Sequence, residues 1–213
     1  MSEQSQTAAQ RGRPKDLAKR QAILDAAKEL FLTNGFAATS VDAVASAAGV
    51  SKLTVYSHFS DKETLFSAAI TSRCEMMMPL PIFDLKEGDS VAEVLERIGQ
   101  AFLSMVDSKD SIRLLRLLCA LASQESQESK LAQLFFDAGP QRILRDIEQL
   151  LRRAKEMGKL QVVNPAEAAE DFMGILLGCR HMRVLIGCCE VQAEEERRER
   201  VRKAVALFMR GYR

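Results

Sequence analysis

Apolar residues recur along this chain at helical spacing, and polar stops cut the pattern into segments. Ile23, Ala26, Ala27, Leu30 and Phe31 share one helical face. Asn34-Gly35 closes that segment, since both residues tolerate the left-handed geometry that ends a helix. The spacing predicts a first helix over about 17–33. Ser40 is a good N-cap for a short second helix with Val41, Val44, Ala45 and Ala48 on its apolar side. Gly49 supplies a turn, Val50 plugs the joint, and Ser51 caps a third short helix through Phe59. Ser60 and Glu63 have capping-box spacing and open a fourth helix carrying Leu65, Phe66, Ala69, Ile70 and Cys74. Pro79 and Pro81 end it.

The same periodicity predicts helices over about 91–107, 110–124, 127–157, 165–187 and 193–212. Gly139-Pro140 should break or kink the third of these, because proline removes a backbone donor and crowds the preceding turn. Gly158 caps its end, and Asn164-Pro165 opens the next helix with proline at the first helical position. No run alternates with strand period. The expected fold is all-α. It divides into a basic flexible arm (1–16), a three-helix helix-turn-helix domain with its following helix (17–78), and a larger C-terminal helical domain (79–213).

Composition narrows the class. At 47% hydrophobic and 28% charged residues the chain can build an ordinary core. It has no apolar run long enough for a membrane span, and its polar beginning is unlike a secretory signal. These readings place it in the cytoplasm, with no membrane partner. Net charge is only +1, but between Arg11 and Ser60 seven Lys/Arg face four Asp/Glu, and five of the seven lie within Arg11–Arg20. That arm is either an electrostatic footprint for phosphate or a solvated leader. Five cysteines, an odd count, argue against a disulfide framework. Two histidines and no Cys-x-x-Cys give no support to a metal site. With no glycine-rich phosphate loop and no nucleophile–base pair to propose, the chain is not expected to be an enzyme or to hold a cofactor.

The segment from Ser40 to Phe59 reads as two short helices joined by a glycine turn, a unit that presents its second helix to a DNA major groove. Small residues suit the place where the helices cross, and Ala45, Ala48 and Gly49 supply them. Ser51, Lys52, Thr54, Tyr56, Ser57 and His58 put polar groups on or beside that helix. Lysine suits phosphate or guanine, and hydroxyls suit phosphate or several base edges. Thr39 and Ser40 start the second helix, where free backbone amides favour phosphate. Lys52, Leu53 and Thr54 are the candidates for base contact. Arg11 and Arg13 sit on an arm that could enter a narrow minor groove. Tyr56 could instead be a half-buried aromatic, and His58 could simply close the module's edge.

Over residues 18–75 the chain resembles the TetR family of regulators. The resemblance rests on Ile23-Leu-Asp-Ala-Ala27, Leu30-Phe31, Gly35-Phe36, Thr39-Ser40-Val41, Val44-Ala45, Ala48-Gly49-Val50-Ser51, Val55-Tyr56, His58-Phe59 and Asp61-Lys62-Glu63-Thr-Leu65. Phe136-Asp-Ala-Gly-Pro140, Gly158-Lys-Leu160 and Pro165–Gly178 are similar to the AefR-type ligand domain. The resemblance implies a homodimeric repressor on pseudo-palindromic double-stranded operator DNA. A small molecule bound in the larger domain would shift the fourth helix and part the recognition helices. It further implies that Tyr56 and Lys62 hold phosphate. Leu53 departs from the glycine common at that point in the family, so base preference does not carry over. By the same analogy the regulated genes are a neighbouring drug-efflux operon and the effector is hydrophobic.

Apolar stripes offer walls for such an effector: Phe102 and Met105; Leu118 and Cys119; Phe135 and Phe136; Phe172, Met173 and Leu176. Stripes of this kind also make ordinary core. Gly174-x-x-x-Gly178 and the stripe Val201, Val205 and Phe208 on the last helix are candidates for a four-helix dimer face, or for packing within one chain.

Overall fold

The computed structural model describes the backbone of residues 7–121 and 128–212, and side chains over 16–120 and 130–212. All the regular structure among the described residues is helical, and they contain no strand. They form ten α-helices and one 3-10 turn, in two compact units, Met1–Arg73 and Cys74–Arg213. The unit boundary falls inside the fourth helix, a few residues before the boundary read from the sequence.

The first unit holds α1 (Thr7–Ala38), α2 (Val41–Ala47), α3 (Lys52–His58) and the start of α4 (Lys62–Met77). Backbone helix begins at Thr7, so residues 7–16, assigned to an arm from sequence, continue α1. The break anticipated near Asn34-Gly35 is present: Gly35 has φ 77°, ψ 175°, a non-helical joint inside α1. Most of the apolar face of α1 is committed to the core. Ile23, Leu24, Ala27 and Phe31 are buried, together with Val44 from α2, Val55 from α3, and Leu65 and Phe66 from α4. Phe31, Phe36 and Phe66 form a ring cluster with centroids 5.2–5.9 Å apart. Burying a phenylalanine of this kind contributes roughly 1.5–3 kcal/mol.

Two details differ from the sequence reading. The Ser60–Glu63 capping box does not form. Asp61 caps α4 instead, its Oδ1 accepting the Thr64 amide at 2.6 Å, while the Ser60 hydroxyl donates to Asp61 Oδ2. A carboxylate satisfies a free amide at a helix N-terminus better than a hydroxyl does, because it also complements the helix dipole. Gly49 is not a point of close approach either: a Cβ there would touch nothing within 4 Å. Its φ of +65° is what requires glycine.

The second unit contains the end of α4, a 3-10 turn (Leu80–Phe83), α5 (Val91–Val106), α6 (Lys109–Leu121), α7 (Glu128–Ala138), α8 (Pro140–Glu156), α9 (Pro165–Leu185) and α10 (Glu194–Gly211). Gly139 (φ −121°, ψ −84°) separates α7 from α8 outright, with Pro140 opening α8. Asn164 caps α9 as its sequence position foretells, Oδ1 accepting from Ala166 N at 3.1 Å. In the core α5, whose Val94, Leu95, Ile98, Phe102 and Leu103 are buried, packs chiefly on α10 and also on α9, and α8 packs on α9. Gly99 lets α10 approach: a Cβ there would lie 2.8 Å from Val201 Cγ1 and 3.2 Å from Leu176 Cδ2. A second break was not foreseen. Gly178 (φ 48°, ψ −171°) interrupts α9, and the Arg200 guanidinium donates to the Leu177 carbonyl beside it. No described helix is long and apolar enough to cross a membrane.

Candidate nucleic-acid interface

The helix-turn-helix is assembled by its caps. Ser40 Oγ accepts from Ala43 N at 3.0 Å to start α2, and Ser51 Oγ accepts from Thr54 N at 3.1 Å to start α3. Between them the Val50 amide donates to Ala45 O at 3.0 Å, closing α2 across the Gly49 turn. Val55 and Phe59 hold α3 to the core. The opposite side of α3 is open: Lys52, Leu53, Tyr56 and Ser57 are all exposed. Leu53 is 80% exposed and Tyr56 44%. An aliphatic side chain so exposed in a short capped helix makes no contribution to this unit's core, and burial against a partner would recover its hydration cost.

The electrostatics of this face are set by one pair. Lys52 Nζ lies 2.8 Å from Asp42 Oδ2, linking the first turn of α3 to the first turn of α2. The hydrogen bond to Asp42 raises the Lys52 pKa. A DNA phosphate would have to compete with Asp42 for it. Sequence reasoning did not bring in Asp42, because nothing in the local pattern shows that two helix starts ten residues apart converge.

Three residues predicted to touch DNA are committed elsewhere. Thr39 is 1% exposed, and its hydroxyl donates to Gly35 O (2.8 Å) and Leu30 O (3.1 Å), while its amide donates to Phe36 O. It stitches the break in α1 and offers no group outward. The His58 ring is nine-tenths buried, with Nε2 3.2 Å from Asp16 Oδ1 but out of line for a hydrogen bond. It closes the module against α1. Lys62 also turns inward. Its ammonium sits 4.3 Å from the Phe36 ring centroid and donates to Ala37 O at 3.4 Å, and burial lowers its pKa. Ser40, Ser51 and Thr54 use their hydroxyls on the caps, Ser51 and Thr54 also pairing with each other at 2.8 Å. Arg11 and Arg13 lie on α1, with their side chains outside the described residues.

In the second unit, Phe102, Met105, Leu118, Phe172, Met173 and Leu176 are buried, Phe135 is half-buried, and Cys119 and Phe136 are exposed. None of the nine lines the three clefts described for this unit. The stripe of Val201, Val205 and Phe208 is almost fully buried within the chain: Val201 meets Gly99 of α5, and Phe208 packs its ring 5.3 Å from Phe172. This corrects its assignment to a surface for a second copy, since those side chains have no area left to give. Gly174 and Gly178 remain exposed. Beside them Ile175 of α9 and Lys203 and Leu207 of α10 line an open cleft of about 510 Å3.

Comparison with known proteins agrees with this architecture. Residues 23–69 match the family model for bacterial regulatory proteins of the tetR family, and residues 93–213 match that for the AefR-like transcriptional repressor C-terminal domain. The uncharacterized HTH-type transcriptional regulator YvkB of Bacillus subtilis is 26% identical over 89% of this chain and 94% of its own length. The solved structure of the flavonoid-responsive regulator FrrA is 30% identical, covers 92% of this chain and 97% of its own, and superposes with a TM-score of 0.69. A TetR transcriptional regulator from Agrobacterium tumefaciens is 28% identical over 91% of this chain and 94% of its own, with a TM-score of 0.71. With its capped helix-turn-helix followed by a larger helical domain that matches over more than half the chain, this protein belongs to the TetR family of DNA-binding transcriptional regulators, which are not enzymes.

Proposed function

We propose that the protein is a homodimeric, ligand-responsive repressor that binds a pseudo-palindromic operator through the exposed face of α3. The observation that carries this reading is that face itself: Lys52, Leu53, Tyr56 and Ser57 stand clear on a helix whose other side is core. Leu53 suits a thymine methyl, the Lys52 ammonium a base edge or, once released from Asp42, a phosphate oxygen, and Tyr56 a phosphate oxygen. Ser40, Ser51 and Thr54 border the same face, and Arg11 and Arg13 belong to the approach from α1. Thr39 and His58 act by holding this face in place.

Dimerisation is assigned to the outer side of α9 and α10, around Gly174, Gly178, Ile175 and Leu207, in place of the buried stripe. Exposed small residues on α9 favour close helix approach, and Leu207 is 52% exposed. Ligand response is supported by the likeness to FrrA, whose own description is flavonoid-responsive. The family analogy extends this to a hydrophobic effector and to a neighbouring drug-efflux operon, acting in the cytoplasm on the nucleoid.

The test is a gel-shift titration of the DNA upstream of the protein's own gene, followed by footprinting. Two protected half-sites about one helical turn apart, centre to centre, are expected. Failure to bind any such fragment at low salt would overturn the reading.

A further inference from the structure

The α6 face and the loop that follows α9 border an open cleft of about 1110 Å3 in the second unit. It is separate from the nine residues that the apolar stripes picked out. Its floor is apolar. Ile112 and Val184 are buried there, and the half-exposed Leu117 and Val191 flank them. Its rim is cationic. Lys109, Arg113 and Arg116 fall on consecutive turns of α6 and all border the cleft. Arg116 is pinned, donating to Leu185 O at 2.7 Å and Val184 O at 2.8 Å, so it caps the C-terminus of α9. Lys109 and Arg113 are not pinned, and neither has an ion-pair or hydrogen-bond partner among the described residues. Asp110 and Glu190 also edge the cleft, leaving three cations against two carboxylates, and neither carboxylate pairs with Lys109 or Arg113.

We infer that this cleft binds a small amphipathic organic anion, its hydrocarbon or aromatic body on Ile112, Leu117 and Val184 and its carboxylate or phenolate on Lys109 and Arg113. Like charges at i and i+4 on one helix repel, and an anion between them removes that repulsion. The volume is slightly above the usual range of ligand pockets, about 300–1,000 Å3, so a ligand would fill part of it. The partly buried apolar floor supplies the non-polar share that such a pocket needs. Occupation would brace α6 against the end of α9, on the far side of the Gly178 break from the start of that helix. The consequence for DNA rests on the ligand-responsive reading above, but binding in the cleft does not.

The cleft carries its own reporters, because exposed Cys188 and half-buried Cys189 lie in its wall. The experiment measures the alkylation rate of these thiols in the full-length protein, peptide by peptide, alongside calorimetric binding. The probes are decanoate, 1-decanol and decyltrimethylammonium. Decanoate should bind, should slow alkylation at Cys188 and Cys189 and should leave exposed Cys119 unaffected. The quaternary ammonium should do neither. Decanoate affinity should fall about tenfold for each cation removed in Lys109→Ala and Arg113→Ala, as expected for loss of a charge-assisted contact. Equal binding of all three probes, no protection by decanoate, or unchanged affinity in both variants would overturn the proposal. The comparison of decanoate with the ammonium uses the wild-type chain, so it decides even if a variant fails to fold. A gel shift with decanoate separates the two readings: protein that binds decanoate in the cleft and keeps its operator upholds the cleft and counts against ligand response.

Discussion

Thr39→Val separates a structural threonine from a DNA-contacting one. Valine matches the shape of threonine, so the buried site is not emptied, and the change replaces one hydroxyl by a methyl. That hydroxyl now donates towards Gly35 O at 2.8 Å and Leu30 O at 3.1 Å in a site 1% exposed. A net hydrogen bond of this type is worth about 0.5–1.5 kcal/mol, and a buried carbonyl left without a donor costs about 1–3 kcal/mol. Only one proton is lost, so the two costs describe the same event and do not add. The expected destabilisation is about 1–3 kcal/mol. For a chain of this length each kcal/mol lowers Tm by roughly 2–4 °C. Circular dichroism during urea and thermal unfolding reads the stability, and gel shifts over a salt series read the interface. Stability should fall, while the operator affinity of the folded protein stays as in wild type across the salt series. An unchanged unfolding midpoint together with operator binding weakened by a similar factor at every salt concentration would show that Thr39 meets phosphate and would refute the reasoning.

Three further outcomes follow from the same structure. Asp42→Asn frees the Lys52 ammonium from its 2.8 Å partner, so DNA affinity at low salt should rise and the salt slope should steepen by about 0.9; an unaltered slope would mean Lys52 never reaches the backbone. Gly99→Ala drives a methyl to 2.8 Å from Val201 Cγ1, and overpacking of this kind should cost about 1–3 kcal/mol in thermal or urea unfolding; a variant as stable as wild type would show that α5 and α10 are not closely packed there. Tyr212 donates to Asp171 Oδ2 at 2.5 Å, and that bond is the main reason its pKa is pushed up to about 12 from 10.0. Because the folded pKa is the higher one, the bond contributes fully below pH 10 and is lost as pH rises towards 12. Tm should fall across that window more steeply in wild type than in Tyr212→Phe, and parallel curves would count against the bond.

Much of this architecture is written locally. Ser40 and Ser51 before apolar-periodic runs, and Gly49 between them, fix both short helices because capping and positive φ depend on neighbours only. Asn164-Pro165 and Gly139-Pro140 were readable for the same reason. What was not legible depends on long-range meetings. Thr39 and Ser40 look alike in sequence, yet one is buried under the α1 break and the other is exposed, and only the packing of α1 decides which. The inward turn of His58 depends on where Asp16 lies, and that of Lys62 on where Phe36 lies. The stripe of Val201, Val205 and Phe208 was correct as an apolar face, but periodicity does not name the partner. The absence of a side chain at Gly99, a hundred residues earlier, directs that stripe into the chain itself. Gly178 sits inside an unbroken helical pattern, so its break in α9 had no local signal.

The central claim is that the open side of α3 is the DNA-reading surface, and Leu53→Glu tests it most directly. Leu53 is 80% exposed and lies outside the core of this unit, so a carboxylate there leaves the fold intact while placing negative charge where DNA would lie. In a gel shift on the footprinted upstream DNA, the account predicts loss of specific binding with an unchanged circular dichroism spectrum and unfolding midpoint. Wild-type affinity in Leu53→Glu would contradict it.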